Sequence, residues 1–102
     1  MSSNKFWSKV IKTKFEILVA ICDEELVGKE IEIEKDFRVI VNERFYKERL
    51  IDEREAVELM EKATIGNLIG KRIIEVAIRE NIISPESVIL IGGVPHAQFI
   101  KI

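Results

Sequence analysis

The stretch FEILVAIC, residues 15–22, decides the fold because it is apolar on both sides of an extended chain. Alternate residues of a strand point to opposite faces of its sheet. One face of this stretch carries Phe15, Ile17, Val19 and Ile21. The other face carries Glu16, Leu18, Ala20 and Cys22. The pattern predicts a strand that is buried mostly on both sides and lies inside a sheet.

Shorter alternating stretches predict further strands on both sides of this one. They lie at residues 6–12, 30–34 and 37–42. The first connection is either a hairpin closed by Thr13-Lys14 or a longer loop, since neither residue favours the left-handed backbone of a tight turn. Near the C-terminus we expect a strand at 87–91, a break at Gly92-Gly93, a constrained turn at 94–96 and a final strand at 97–102.

Helical spacing dominates residues 52–80. Asp52 followed by Glu55 predicts a capping box that begins a helix at about 52–63. Thr64 either continues that helix or caps a second one, in which apolar residues recur at helical spacing to about residue 80. Asn81 is a suitable left-handed residue just beyond it. We therefore expect an α+β fold with a mainly antiparallel or mixed sheet, helices at about 52–63 and 64–80 packed on it, and a C-terminal strand pair.

Length and composition limit the class of protein. A chain of 102 residues matches one domain, expected to span 1–102 with disorder at residues 1–4. One cysteine excludes an internal disulfide, and no spacing of Cys and His indicates a zinc site. Without a signal peptide or a membrane span, we expect a cytoplasmic protein with no membrane partner. The abundant Ile, Glu, Lys and Arg are typical of hot-growing organisms.

Charge is segregated along the chain. Four lysines come before the first acidic residue, Glu16, whereas residues 16–36 hold eight acids and two lysines. The net charge of −2 and the pI of about 5.5 disfavour wrapping by RNA or DNA over the whole domain. A local basic strand remains, with one aromatic residue that could stack on a base: Lys5, Trp7, Lys9, Lys12 and Lys14. Either this strand contacts RNA, or it is solvated with Trp7 in the core.

The segment Gly66–Arg72 resembles a phosphate-binding loop only superficially. Three residues rather than four separate its glycines, and Arg72 stands where a hydroxyl residue would bind Mg²⁺. We interpret the two glycines as positions where a helix packs closely on the sheet. No catalytic motif is recognised, so we lean against an enzyme and expect no cofactor and no metal.

His96 and Gln98 are the strongest candidates for a polar site. They should lie side by side on one face of the last strand, where His96 could transfer protons or could merely order the turn. Cys22 could be a nucleophile activated by His96, but its apolar neighbours and the following acids favour a small buried side chain. Residues 23–25 could bind a hard cation, yet a solvated turn is the better interpretation.

Three stretches resemble an archaeal family, domain of unknown function 424: VAICDEELVGK (19–29), ATIGNLIGKR (63–72) and IGGVPHAQF (91–99). The resemblance extends from about Lys9 to the C-terminus. It implies an archaeal cytoplasmic protein with an α+β fold, no established activity or cofactor, and a loose association with RNA-binding or translation proteins. It also implies a site at Gly92, Gly93, Pro95, His96 and Gln98. Weaker companions are Cys22, Asp23 and Asn67.

Three functions follow as hypotheses. The first is a non-catalytic module that binds RNA or a ribonucleoprotein through the basic N-terminal strand and the turn at residues 92–96. The second is a small enzyme or ligand-binding protein, which requires His96 and Asn67 to converge on one pocket. The third is a protein-interaction subunit that pairs through an exposed edge strand.

Overall fold

The computed structural model describes residues 4–102. Its strands are β1 (Lys5–Lys12), β2 (Ile17–Asp23), β3 (Glu30–Glu34), β4 (Phe37–Ile40), β5 (Arg49–Asp52), β6 (Ile65–Ile69), β7 (Ile89–Ile91) and β8 (Val94–Ile100). Its α-helices are α1 (Glu43–Tyr46), α2 (Glu53–Lys62) and α3 (Lys71–Arg79), and single 3₁₀ turns lie at Glu24–Leu26 and Pro85–Ser87. The disorder expected at residues 1–4 falls on residues outside this described part, apart from Asn4.

The main sheet has six strands in the order β5-β1-β2-β6-β8-β7. β2 pairs parallel with β6, and every other neighbour in that sheet is antiparallel. β3 and β4 form a separate antiparallel hairpin. The mixed sheet and the α+β class are therefore confirmed. The strand expected at 15–22 is also confirmed, and it begins at Ile17 because residues 13–16 form a longer connection closed by a Thr13 N–H to Glu16 O bond of 2.9 Å.

The second helix begins later than expected. Residues 65–69 are strand β6 in the middle of the sheet, so the helix predicted at 64–80 is wrong before Lys71. Gly66 lies directly opposite Phe99 of β8, and a Cβ on Gly66 would stand 2.0 Å from the Phe99 ring. Gly70, with φ +124°, then redirects the chain into α3. The two glycines thus serve strand packing and a strand-to-helix turn.

Helices α2 and α3 cover one face of the sheet, which we call the covered face. Its core includes Phe6, Val19, Ile21, Leu68 and Phe99 from the strands and Ala56, Met60, Ile73 and Ala77 from the helices. The capping box is confirmed, since the Glu55 N–H donates to Asp52 Oδ1 at 2.9 Å and the Asp52 N–H donates to Glu55 Oε1 at 3.3 Å. Asn81 is left-handed at φ +58°, as expected. No described helix is long and apolar enough to cross a membrane.

The hairpin β3–β4 and helix α1 cover part of the opposite face. They enclose a second core of Ala20, Cys22, Ile31, Val41, Tyr46 and Ile69. Neither α1 nor β5 is predicted by the sequence pattern, because each has only four residues and no full period of apolar positions. The side chain of Asn42 accepts the Arg44 N–H at 2.8 Å and begins α1.

The C-terminal strand pair turns earlier than expected. Gly92 and Gly93, at φ +55° and +81°, form a two-residue hairpin turn that places Ile91 opposite Val94. Residues 94–96 therefore belong to β8 and not to a turn. A Cβ on Gly92 would lie 2.4 Å from Ile31 Cγ2 and 2.5 Å from the Glu32 carbonyl oxygen, so this turn packs tightly against β3.

Candidate functional site

Sheet register brings several predicted site residues onto one face. On the side away from α2 and α3, paired Cα atoms align the row Lys9, Ala20, Asn67 and Gln98. The neighbouring row is Ile11, Leu18, Ile65 and Ile100. We call these two rows the open face, in which Ala20 alone is fully buried because it belongs to the second core. Gln98 is exposed, as are Ile11 (41%) and Ile100 (71%), so apolar surface beside polar groups is available for contact.

Asn67 is the centre of a small polar network at the margin of the open face. The Tyr46 hydroxyl donates to Asn67 Oδ1 at 2.8 Å, and His96 Nε2 lies 3.2 Å from the same oxygen. His96 and Asn67 thus come into contact, but only His96 lines the adjacent pocket, so the expected convergence on one pocket is met in part. Tyr46 has no signal in the sequence that would identify it, because it lies in a four-residue helix far from both partners along the chain.

His96 is held as a neutral imidazole. Burial lowers its pKa below the ordinary 6.5, so the ring is uncharged at neutral pH. The bond to Asn67 is made by the tautomer with a proton on Nε2, which leaves Nδ1 as an acceptor. Nδ1 is buried and has no hydrogen-bond partner within residues 4–102. Such an orphaned acceptor can receive an N–H or O–H from a ligand.

A pocket of about 370 Å³ adjoins this network between the sheet and the β3–β4 hairpin. Its walls are Ile31, Val39, Ile40, Val41, Asn42, Phe45, Tyr46, Ile69, Ile91 and His96. Phe45 packs edge-on against Tyr46 with ring centroids 4.8 Å apart. An apolar pocket with a few polar groups suits a small ligand with one or two hydrogen-bonding groups.

Cys22 lies beneath the network and is inert. It is fully buried, and its Sγ–H donates to the Asp23 carbonyl at 3.1 Å. Burial, reinforced by the Asp23 and Glu25 charges and opposed by Arg72, raises the thiol pKa to about 12. Burial also raises the pKa of Tyr46. The interpretation of Cys22 as a small buried side chain is confirmed, and neither group is ionised near neutral pH.

Asp23 has a structural role that the sequence analysis of residues 23–25 does not predict. Its carboxylate is 2% exposed and accepts the backbone N–H groups of Arg72 and Ile73, each at 2.9 Å. Asp23 therefore caps α3 from a strand 49 residues away, and the solvated turn expected at 23–25 is wrong for this residue. Glu25 pairs with Arg72, which lowers the pKa of the Glu25 carboxyl.

The remaining residues of the C-terminal motif lie apart from the polar network. Gly92 and Gly93 form the hairpin turn, and a side chain at Gly93 would meet open space. The Pro95 carbonyl accepts the Gly70 N–H at 2.9 Å. His96 and Gln98 lie two residues apart on the same side of β8, as expected. The Gln98 side chain makes no hydrogen bond with any other described residue.

The basic N-terminal strand divides between the two sides of the sheet. One side of β1, the side of the open face, carries Lys5, Trp7 and Lys9. Lys12 lies on the covered face, and Lys14 lies in the connection to β2. Trp7 is half-buried and not in the core, and Lys47 Nζ stands 5.3 Å from the centre of its ring. Lys9 Nζ donates to the Arg44 carbonyl at 2.8 Å. Helix α1 and the residue that follows it thus add Arg44 and Lys47 to this basic region, which the sequence does not predict.

Metal-binding side chains do not cluster. Within residues 4–102, no group of three or more His, Cys, Asp and Glu side chains could hold a metal ion. The polar network instead offers neutral hydrogen-bonding groups beside lysines and aliphatic side chains.

Comparison with known proteins identifies a family and a similar fold. A family model described as "Protein of unknown function (DUF424)" matches residues 11–102. The chain is similar to a solved structure described as an uncharacterized conserved protein from Methanopyrus kandleri, with 22% identity, a TM-score of 0.79, and coverage of 96% of this chain and 94% of the other. At that identity the likeness concerns the fold alone. No curated protein matches.

Proposed function

The chain belongs to the family described as protein of unknown function (DUF424), and for this member we propose a non-catalytic, cytoplasmic module that binds single-stranded RNA on the open face of its sheet. The observation that carries the proposal is the register of four adjacent strands. It aligns Lys9, Asn67 and Gln98 beside an aliphatic row whose two ends, Ile11 and Ile100, are exposed, while both longer helices occupy the other face.

An open sheet face backed by helices can receive splayed bases. Bases of single-stranded RNA expose their Watson–Crick edges, which the Gln98 amide can read by donating and accepting hydrogen bonds. Asn67 can donate through its amide nitrogen, because its oxygen already accepts from Tyr46 and lies 3.2 Å from His96 Nε2. The aliphatic row can contact the base faces. Trp7 is the single aromatic side chain on this side of β1, so stacking contributes less here than in proteins with several aromatic platforms.

Cations near Trp7 would hold the phosphate backbone. Lys5, Lys9, Arg44 and Lys47 come from β1 and α1, two elements that pack together. Each phosphate contact to single-stranded RNA contributes a slope of about −0.7 in a plot of log affinity against log salt. Three or four contacts therefore predict a slope of roughly −2 to −3 and modest affinity. A ribonucleoprotein of the translation machinery is the setting that we propose for such a weak module.

Fluorescence anisotropy with a labelled single-stranded RNA of mixed sequence, at several salt concentrations, tests this function. We expect the Lys5→Ala/Lys9→Ala variant to weaken binding and to reduce the salt slope by about 1.4 units. Gln98→Ala should weaken binding with little change in slope, because its contact is to a base. Lys71→Ala, an exposed lysine on α3, is the matched control and should bind as wild type does. Absence of binding at low salt, or an equal loss in the control, would contradict the proposal.

The orphaned Nδ1 of His96 favours a second candidate function, the binding of a small neutral ligand in the pocket beside Tyr46. Such a ligand would place an N–H or O–H on Nδ1 and an apolar body against Val39, Val41 and Ile91. NMR titration with small aromatic amides and their N-methylated analogues tests it. Preference for the N–H compound, lost in His96→Phe, supports the site, whereas equal binding of both compounds contradicts it.

A further inference from the structure

A second cleft lies on the covered face, at the end of the sheet where β1 passes into β2. It measures about 310 Å³ and lies between these strands and α2. Its lining residues are Val10, Lys12, Ile17, Val19, Leu59 and Lys62. Four of the six are aliphatic and the other two are lysines. The volume is at the small end of the range for ligand pockets, roughly 300–1,000 Å³.

The two lysines lack carboxylate partners. Neither Lys12 nor Lys62 makes a hydrogen bond or an ion pair with another described residue, although acids outnumber bases in the chain by 18 to 16. Two carboxylates of α2, Glu55 and Glu58, are engaged with arginines. Glu55 pairs with Arg49 at 2.8 Å, and Glu58 pairs with Arg54 at 3.2 Å.

Two further polar groups at this end of the sheet, Thr64 and Lys101, are occupied. The Thr64 hydroxyl donates to Glu16 Oε2 at 2.5 Å. Lys101 Nζ donates to the carbonyls of Met60 and Glu61 at 2.8 and 2.7 Å, and so satisfies the C-terminal turn of α2. Lys12 and Lys62 are the two cations that line the cleft, and an anion at its mouth can contact both.

We propose that this cleft binds an amphiphilic anion, an aliphatic chain that ends in one carboxylate or phosphate. The chain would pack against Val10, Ile17 and Leu59, where removal of apolar surface from water supplies the driving force. The anionic end would lie between the side chains of Lys12 and Lys62. This site is on the other side of the sheet from the proposed RNA surface and does not depend on it.

Isothermal titration calorimetry with straight-chain carboxylates tests the site. Affinity should rise roughly fourfold for each added methylene until the cleft is filled, since each buried methylene contributes about 0.8 kcal/mol. The alcohol of equal length should bind at least several-fold more weakly. Alkyl phosphates of the same length show which anionic group is preferred, and tighter binding of either anion than of the alcohol supports the proposal.

Variants separate the two parts of the recognition. Lys12→Ala/Lys62→Ala should bring the carboxylate down to the affinity of the alcohol, while Lys71→Ala should leave the preference intact. Circular dichroism establishes that each variant is folded, which is expected because all three lysines are exposed. Equal binding of carboxylate and alcohol by the wild-type chain, an unchanged preference in the double variant, or no binding by any chain length would overturn the proposal.

Discussion

Replacing Gly66 by alanine tests the placement of β6 inside the sheet. The new Cβ would lie 2.0, 2.3 and 2.7 Å from three atoms of the Phe99 ring, whereas carbon atoms pack at about 3.5–4.0 Å. The ring must therefore retreat by roughly 1.5 Å. Phe99 is only 9% exposed, so the displacement disturbs a packed core and costs about 1–3 kcal/mol. Because alanine loses less conformational entropy than glycine on folding, the substitution also stabilises the chain by about 0.5–1 kcal/mol.

We expect a net loss of roughly 1–2 kcal/mol in the free energy of unfolding, with a lower Tm. For a domain of this size each kcal/mol corresponds to about 4–8 °C. The sign is diagnostic: if residue 66 lay in a helix, as helical spacing suggests, alanine would stabilise the chain by about 0.8–1 kcal/mol. Calorimetry and urea denaturation measure the effect. A Tm equal to or above that of the wild type would refute the strand assignment.

A double-mutant cycle identifies Phe99 as the cause of the loss. In the Phe99→Leu background the smaller side chain leaves room for a methyl group at residue 66, so Gly66→Ala should cost less. The coupling energy between the two sites should be about 0.5–3 kcal/mol. Additive losses would show that the methyl group disturbs something other than the ring.

Three further perturbations address the capping carboxylate and the polar network. Asp23→Ala should lower the free energy of unfolding by about 1–3 kcal/mol, because it leaves the Arg72 and Ile73 N–H groups without an acceptor. It should also speed hydrogen exchange in the first turn of α3, and unchanged exchange there would contradict the capping role. Tyr46→Phe should cost about 1 kcal/mol in urea denaturation, since Asn67 keeps its bond to His96, and a stabilised variant would disprove the bond. His96 has a folded pKa below its ordinary 6.5, so its contribution is complete above pH 6.5 and is lost as pH falls from 6.5 towards the folded pKa. Relative to His96→Gln, the wild-type chain should therefore lose stability on acidification in this window, and parallel pH curves would count against a buried neutral ring.

Patterns within single elements were sufficient for part of the fold. The alternation in residues 15–22 predicts a strand buried on both sides, and the pair Asp52 and Glu55 predicts the start of α2. Both signals are local, since alternation reports burial of two faces and a capping box satisfies neighbouring N–H groups. Asn81 likewise marks the end of α3 through its own backbone conformation.

The wrong predictions concern residues whose structure depends on contacts with residues distant in sequence. Ile65, Leu68 and Ile69 fit helical spacing, and only pairing with β2 and β8 makes them a strand. By its sequence neighbours Asp23 belongs to an acidic turn, and only its hydrogen bond to the Arg72 N–H, 49 residues away, identifies it as a cap of α3. The Gly92-Gly93 pair did carry a local signal for a two-residue hairpin, which the proline at 95 obscured by suggesting a turn there.

The candidate site was also predictable only where its residues lie in one element. His96 and Gln98 share a face by alternation along one strand, which the sequence shows. Asn67 was expected as a weaker companion implied by the family resemblance and as a condition of the ligand-binding hypothesis. Tyr46 joins them through a hairpin and a short helix whose position depends on packing over Ile69 and Cys22. A side chain brought in by such packing leaves no periodic signal in the sequence.

The most direct test of the RNA-binding proposal is an NMR titration of the ¹⁵N-labelled chain with single-stranded RNA at low salt. We expect the largest amide shifts in β1, β6 and β8, centred on Lys9, Asn67 and Gln98, with the amides of α2 and α3 unmoved. Shifts concentrated on the two helices, or a spectrum unchanged by excess RNA, would contradict it.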